Sequence, residues 1–190
     1  MDDVEFIAFD LETTGFSSTS CQIVEFGAVR FRADGTELDR LEQLIDPGCR
    51  IPASVSRIHG ITDAMVQGKP PIEDVLSEFV QFLGESDTIL MAHNASFDIG
   101  FLSVAIGRCG MPLPSNPVVD TLGLSRRRLP RLRNHRLETI ARHLGISDST
   151  EHRALGDALV VQSAFLGLLS QPPVITSLDD LLNSVPPKFF

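Results

Sequence analysis

The chain has 190 residues, of which 43% are hydrophobic and 22% charged, and a formal net charge of −9. This is the size of one domain, or of one domain with a tail, and it holds enough apolar material for a sizeable core. A wholly disordered chain is excluded, and with 14 Gly, 12 Pro and 3 Cys so is a collagen-like or disulfide-stapled one.

Val4 to Leu11 (VEFIAFDL) reads as a strand that is apolar on both faces, ended by Thr13-Thr14-Gly15. Ile23 to Phe31 is a second strand, Ala33-Asp34-Gly35 a hairpin turn, and Thr36 to Ile45 a third strand. The turn Asp46-Pro47-Gly48 leads to a short helix from Pro52 to His59, closed by Gly60. Pro70-Pro71 sets up a helix from Ile72 to Leu83, whose apolar residues follow helical spacing up to Gly84. Thr88 to Ala92 is a short buried strand. Ser96 to Cys109 is a helix that begins near Asn94 and is stopped by Gly110 and Pro112. Val118-Val119 is a brief strand, and helices follow at about Thr121 to Leu129, Arg136 to Leu144 and Arg153 to Leu169. Three strands followed by strands alternating with helices predict an α/β protein with a mixed sheet.

The longest apolar run, Ala158 to Leu169, is interrupted by Gln162 and Ser163 and falls short of the roughly 20 residues of a membrane span. The first residues, Met1-Asp2-Asp3-Val4-Glu5, are acidic where a leader would be basic. The expectation is a cytoplasmic protein with no membrane partner. Cys21, Cys49 and Cys109 have no metal-like spacing and read as ordinary small apolar residues.

The acidic balance conceals a basic window. Between Arg126 and Arg142 lie seven arginines against one acid, Glu138, so the window carries +6 and the remainder −15. Such asymmetry suits either a local anion contact on an acidic body or a solvated basic face.

Three segments carry chemistry. Asp10 and Glu12 are two apart at the end of an apolar strand, so both carboxylates leave the same face. A divalent cation would pair them, although a solvated strand end accounts for them as well. In His93-Asn94-Ala95-Ser96-Phe97-Asp98, the aspartate falls in the first turn of a helix, where an anion is favoured with or without a further role. In His152-Arg153-Ala154-Leu155-Gly156-Asp157, both the histidine and the aspartate stand near the start of the last long helix and can lean towards one cleft. His152 suits a capping or surface residue equally. Asp157 is harder to dismiss, because Ala154, Leu155, Ala158 and Val161 form a core-facing stripe around it.

In this order and beside these elements, the three segments resemble the DEDDh family of 3′→5′ exonucleases. These DnaQ-like enzymes are built on the ribonuclease H-like fold, a mixed sheet of about five strands (three antiparallel, then parallel) flanked by helices. The likeness covers roughly residues 4 to 169, the tail from 171 to 190 lying outside the exonuclease domain (1–170). Asp10-Leu11-Glu12-Thr13-Thr14-Gly15, Ile58-His59-Gly60-Ile61-Thr62 and Phe97-Asp98-Ile99-Gly100-Phe101-Leu102 look particularly like the proofreading subunit of bacterial replicative polymerase. A sister branch has Tyr in place of the last His, and this chain contains no Tyr.

The resemblance implies that Asp10, Glu12, Asp98 and Asp157 hold two Mg²⁺ or Mn²⁺ ions, which clamp the attacking and leaving oxygens of a displacement at phosphorus. It assigns His152 as the general base. An ordinary imidazole titrates near ~6.5, so activity would rise through that pH. It puts Leu11 and Thr13 against the terminal nucleotide and His59, Asn94 and Phe97 around its base or sugar, although Phe97 suits the core equally. Arginines from Arg126 to Arg136 would hold upstream phosphates. The expected substrate is DNA with a single-stranded or frayed 3′ end, cut to nucleoside monophosphates in proofreading. Trimming of RNA is the alternative, because the motifs address the phosphodiester and not the 2′-hydroxyl. A non-catalytic polymerase-associated subunit is a third reading, which the intact five-residue signature opposes. In the tail, Leu178, Leu181 and Leu182 between Pro172-Pro173 and Pro186-Pro187 offer a docking helix for a polymerase subunit or clamp; otherwise the segment packs on its own domain or stays disordered.

Overall fold

The computed structural model describes residues 1, 4–147 and 153–190. The chain opens with three antiparallel strands, β1 (Glu5–Thr13), β2 (Ile23–Arg32) and β3 (Glu37–Leu44). Helices α1 (Ala53–His59), α2 (Asp63–Val66) and α3 (Ile72–Phe82) lead to β4 (Ile89–Ala92), which pairs in parallel with β1. Helix α4 (Ser96–Arg108) then leads to β5 (Val118–Asp120), parallel to β4. Helices α5 (Thr121–Arg128), α6 (Leu137–Leu144), α7 (Ala154–Leu169) and α8 (Leu178–Ser184) follow. The strand order β3-β2-β1-β4-β5 is the expected mixed sheet, with its parallel strands joined through helices.

The period-two alternation of β1 divides the interior. Phe6 and Ala8 point to one face, where they pack with residues of α5, α6, α7 and α8. Ile7, Phe9 and Leu11 point to the other, where α3 and α4 cover them. Because both faces are covered, β1 is an almost unbroken apolar run. The row Phe6, Ala8, Asp10, Glu12 therefore starts inside the α7 layer and emerges as two carboxylates. Edge strand β3 has the sequence ELDRLEQL, with only Leu41, Gln43 and Leu44 withdrawn from full exposure, a charged edge that discourages strand addition.

Helix α7 is apolar around most of its circumference, as a helix buried in a core must be. Phe165 meets Phe6 and Phe31 at ring-centroid distances of 5.3 and 6.3 Å. The start of α7 lies on β2 at Gly27, where a Cβ would stand 2.1 Å from the Leu155 nitrogen and 2.4 Å from the Ala154 carbonyl carbon. Only glycine permits that approach.

β1 runs through Glu12 to Thr13, two residues beyond the expected end, because its pairing with β2 continues past a shift between Glu12 and Thr13. Helix α2 was not foreseen in the sequence; at four residues it is below the length at which periodicity is legible. In the tail, Leu181 is fully buried and Ile175 and Val185 nearly so, all in the α7-side core, with Leu178 and Leu182 packed against it. Val118 and Lys188 exchange two backbone hydrogen bonds of 2.9 and 2.8 Å at the β5 edge.

Candidate active site

Asp10 and Glu12 stand half-buried on the α7 face of β1, and Asp157 comes down to them from the first turn of α7. One carboxylate oxygen from each of these three lies within 4.8 Å of the others. Asp98, in the first turn of α4, is 2% exposed and stands outside that trio. Its charge is nevertheless the largest acting on Asp10 after burial itself.

Burial and mutual repulsion govern the protons here. Burial first, then the charges of Asp98, Asp157, Glu12 and Glu25, raise the pKa of Asp10 well above the ordinary aspartate value. Glu12 is pushed up to about 8 by burial and then by Asp157, Glu25 and Asp98, with Arg153 pulling the other way. Asp98 is likewise pushed up to about 8 by burial, against the backbone groups of Asp98 and Leu11 that favour its anion. Without a cation, Glu12 and Asp98 hold protons at neutral pH.

A cleft opens from the carboxylates in two directions. On one side it is lined by Thr13, Phe16, Ile58, His59, Asn94 and Phe97. On the other it is lined by His93, Leu122, Arg126, His135, Arg136 and Glu138. The Leu11 side chain is buried in the α4-side core, and the residue also lines the first branch. Thr13 donates its hydroxyl to the Gly15 carbonyl at 2.6 Å. Phe97 packs on Phe101 at 4.9 Å while lining the cleft, so it serves core and site together.

His59 closes α1 and is 4% exposed. Its Nδ1 accepts the Ile61 N–H at 3.0 Å, so in the neutral ring Nε2 carries the hydrogen. That Nε2 has no hydrogen-bond partner among the described residues. Burial lowers the pKa of this histidine and keeps the ring neutral.

Asn94 adopts a left-handed conformation, φ 65°, which asparagine tolerates better than most residues. Its N–H donates to Asp120 Oδ1 at 3.1 Å, and the other Asp120 oxygen is ion-paired to Lys188 at 2.9 Å. His93 meets Thr121 Oγ1 at 3.1 Å through Nδ1 and donates Nε2–H to the His135 carbonyl at 2.9 Å. His152 lies outside the described residues.

Four of the five signature residues thus converge around one cleft floor. Reading of the sequence missed Phe16 and Ile58, two large apolar side chains left 81% and 55% exposed at the cleft mouth. A lone phenylalanine in the polar run Gly15-Phe16-Ser17-Ser18 was the available signal. Within the basic window the structure divides the arginines. Arg126 and Arg136 are exposed and line the second branch. Arg128 turns inward and donates to the carbonyl of Leu168 in the last turn of α7 and to those of Gln171 and Pro173 beyond it.

The family model RNase_T, described as Exonuclease, matches residues 7–165. The "DNA polymerase III PolC-type" of Halalkalibacterium halodurans is 44% identical over 156 residues, which are 82% of this chain and 11% of that protein. The chain therefore spans about a tenth of the length of the curated relatives it matches. Exonuclease X in complex with 5′-overhanging duplex DNA superposes with a TM-score of 0.70 at 25% identity, over 95% of this chain and 98% of that one. The zinc-bound E. coli ExoI complex with single-stranded DNA superposes with a TM-score of 0.82 at 18% identity, over 95% of this chain and 43% of that one, a likeness of fold. With the signature carboxylates gathered on a ribonuclease H-like sheet, and with most of its length matched by that family model, the chain belongs to the exonuclease family of DnaQ-like nucleases.

Proposed function

We propose that this chain is a 3′→5′ exodeoxyribonuclease that releases nucleoside monophosphates from DNA 3′ ends and serves proofreading in replication. The observation that carries the reading is the trio Asp10, Glu12 and Asp157, with oxygens within 4.8 Å of one another, where an apolar branch and an arginine-lined branch of one cleft meet. The PolC-type relatives support the replicative role, and the DNA in the Exonuclease X structure supports DNA as the substrate. A chain that works on the replicating chromosome belongs in the cytoplasm.

The donor set suits a hard divalent cation. It is made of carboxylate oxygens, which Mg²⁺ and Mn²⁺ prefer, and it is buried enough to hold protons when nothing else neutralises it. Asp10, Glu12, Asp98 and Asp157 would hold two such ions. When bound, these supply Lewis-acid polarisation of the phosphodiester and favour the hydroxide form of water.

The residues of the chain perform the remaining tasks. His152, two residues before α7 in the chain, takes the proton of the attacking water as general base. Arg126 and Arg136 hold phosphates along the second branch. Leu11, Thr13, Asn94 and Phe97 surround the terminal nucleotide, and His59 offers it the unpaired Nε2–H. Phe16 and Ile58 give unpaired bases an apolar surface at the cleft mouth. A matched terminus must unstack and unpair to enter, which costs a few kcal/mol, and a mismatch needs less.

Digestion of matched duplex, 3′-mismatched duplex and single-stranded RNA, side by side, tests the assignment. The mismatched DNA is expected to be shortened fastest. RNA digested faster than any DNA would overturn the proofreading reading.

A further inference from the structure

We infer that Glu25 and Arg153 form a positioning pair that seats the start of α7 and thereby aims Asp157 at Asp10 and Glu12; the inference rests on the catalytic reading above. Glu25 is wholly buried on β2. Its carboxylate accepts from Arg153 Nε at 3.0 Å and from Arg153 Nη2. It also accepts the backbone N–H of Ala154, the first residue of α7, at 2.9 Å. That N–H is one of the amides a helix start cannot satisfy internally. A carboxylate 129 residues away in the chain thus caps α7.

Register explains why the seat falls there. Glu25 and Gly27 share one face of β2, and across the sheet they pair with Glu12 and Asp10 respectively. Each of the two β1 carboxylates therefore has as its cross-strand neighbour a residue that contacts the α7 start. Gly27 sets the height of the helix by backbone contact, and Glu25 sets its position by charge. Arg153 also reaches Glu42 on β3 at 3.4 Å, which ties the helix start to a second strand. Asp157 lies one turn further, its N–H bonded to the Arg153 carbonyl at 2.9 Å. His152 is joined directly to Arg153.

A buried ion pair is a poor way to gain stability, since apolar residues of similar volume would do as well. It is an effective way to admit one geometry only. Here it also puts a positive charge beside a carboxylate cluster that would otherwise gain a further uncompensated anion.

The test compares Glu25→Gln, Arg153→Met and Arg153→Lys with Val161→Ala, a change in the buried middle of α7 away from the seat. Manganese binding to the protein without DNA is titrated by electron paramagnetic resonance. In parallel, kcat, KM for single-stranded DNA and the melting temperature are measured. Glu25→Gln and Arg153→Met are expected to weaken Mn²⁺ binding and lower kcat by about tenfold or more, the range for residues that orient metal ligands. KM should move by less than roughly threefold, since the DNA-binding surfaces are untouched. Arg153→Lys should recover part of both losses. Val161→Ala should lower the melting temperature while leaving Mn²⁺ affinity and kcat as in the unsubstituted protein. Seat variants that lose only melting temperature, as Val161→Ala does, would overturn the inference. If Glu25→Gln does not fold, the more exposed Arg153 variants decide the matter. If the unsubstituted chain cuts no DNA, the catalytic reading fails separately and the manganese titration still judges the seat.

Discussion

At the scale of single residues, the proposed cation centre would set protons and cations in competition for the same oxygens. In the folded chain without metal, Glu12 and Asp98 keep protons up to about pH 8. In the unfolded chain they would release them near ~4.3 and ~3.9. Between these limits the folded state binds more protons than the unfolded one, so these groups make stability fall as pH rises. On the proposed reading, a cation would take the place of the protons and remove that penalty. The gain in melting temperature on adding Mg²⁺ or Mn²⁺ should therefore grow from about pH 5.5 to 8. A gain independent of pH would mean that these carboxylates do not hold the ion. His152 and Asp157 should separate by the same measurement. His152→Ala should lower kcat by at least ~10²-fold and keep the metal-induced gain in melting temperature, as loss of a general base does. Asp157→Asn should lose both. An unchanged kcat in His152→Ala would remove it from the mechanism.

Elements carry these residues into place, and their local patterns were open to inspection to different degrees. The alternation of β1 was legible because a strand has period two, and it put Asp10 and Glu12 on one face before any contact was known. The starts of α4 and α7 were legible from composition, and with them the places of Asp98 and Asp157. Contacts between distant elements were not legible. Glu25 and Arg153 are 128 positions apart, and nothing local marks β2 as the cap of α7. Phe16 and Ile58 come from a loop and a helix that meet only after folding. The basic window read as uniform, yet Arg128 serves the end of α7, while Arg126 and Arg136 border the cleft. This division is testable through salt. Arg126→Ala and Arg136→Ala should each reduce the dependence of DNA binding on log salt by about 0.7, the single-strand value for one phosphate contact. Arg128→Ala should leave that slope unchanged and lower stability instead. Equal slopes for all three would return the window to a solvated surface.

On the scale of the whole molecule, an acidic protein meets a polyanion without contradiction. On the proposed reading, the net charge of −9 includes carboxylates that a cation would neutralise at the site, and the basic window borders the cleft they floor. The C-terminal segment contributes to this body. Leu181, Val185 and Ile175 are buried in the α7-side core, and each such side chain is worth about 1.5–3 kcal/mol. Lys188 meanwhile pairs with Asp120, which holds the Asn94 turn. Removal of residues 171–190 should lower the melting temperature by about 10 °C or more. An unchanged melting temperature would release the segment for docking to a partner.

Asp10, Glu12, Asp98 and Asp157 are proposed to form a cation-dependent centre that cuts DNA from its 3′ end. The most direct measurement is gel-resolved digestion of a 5′-labelled single-stranded DNA in Mg²⁺ and in EDTA, by the unsubstituted chain and by Asp157→Asn. A ladder that shortens one nucleotide at a time from the 3′ end, present only with metal and only with the unsubstituted chain, is the predicted result. Cutting that persists in EDTA or in Asp157→Asn, or that begins at the 5′ end, would contradict it.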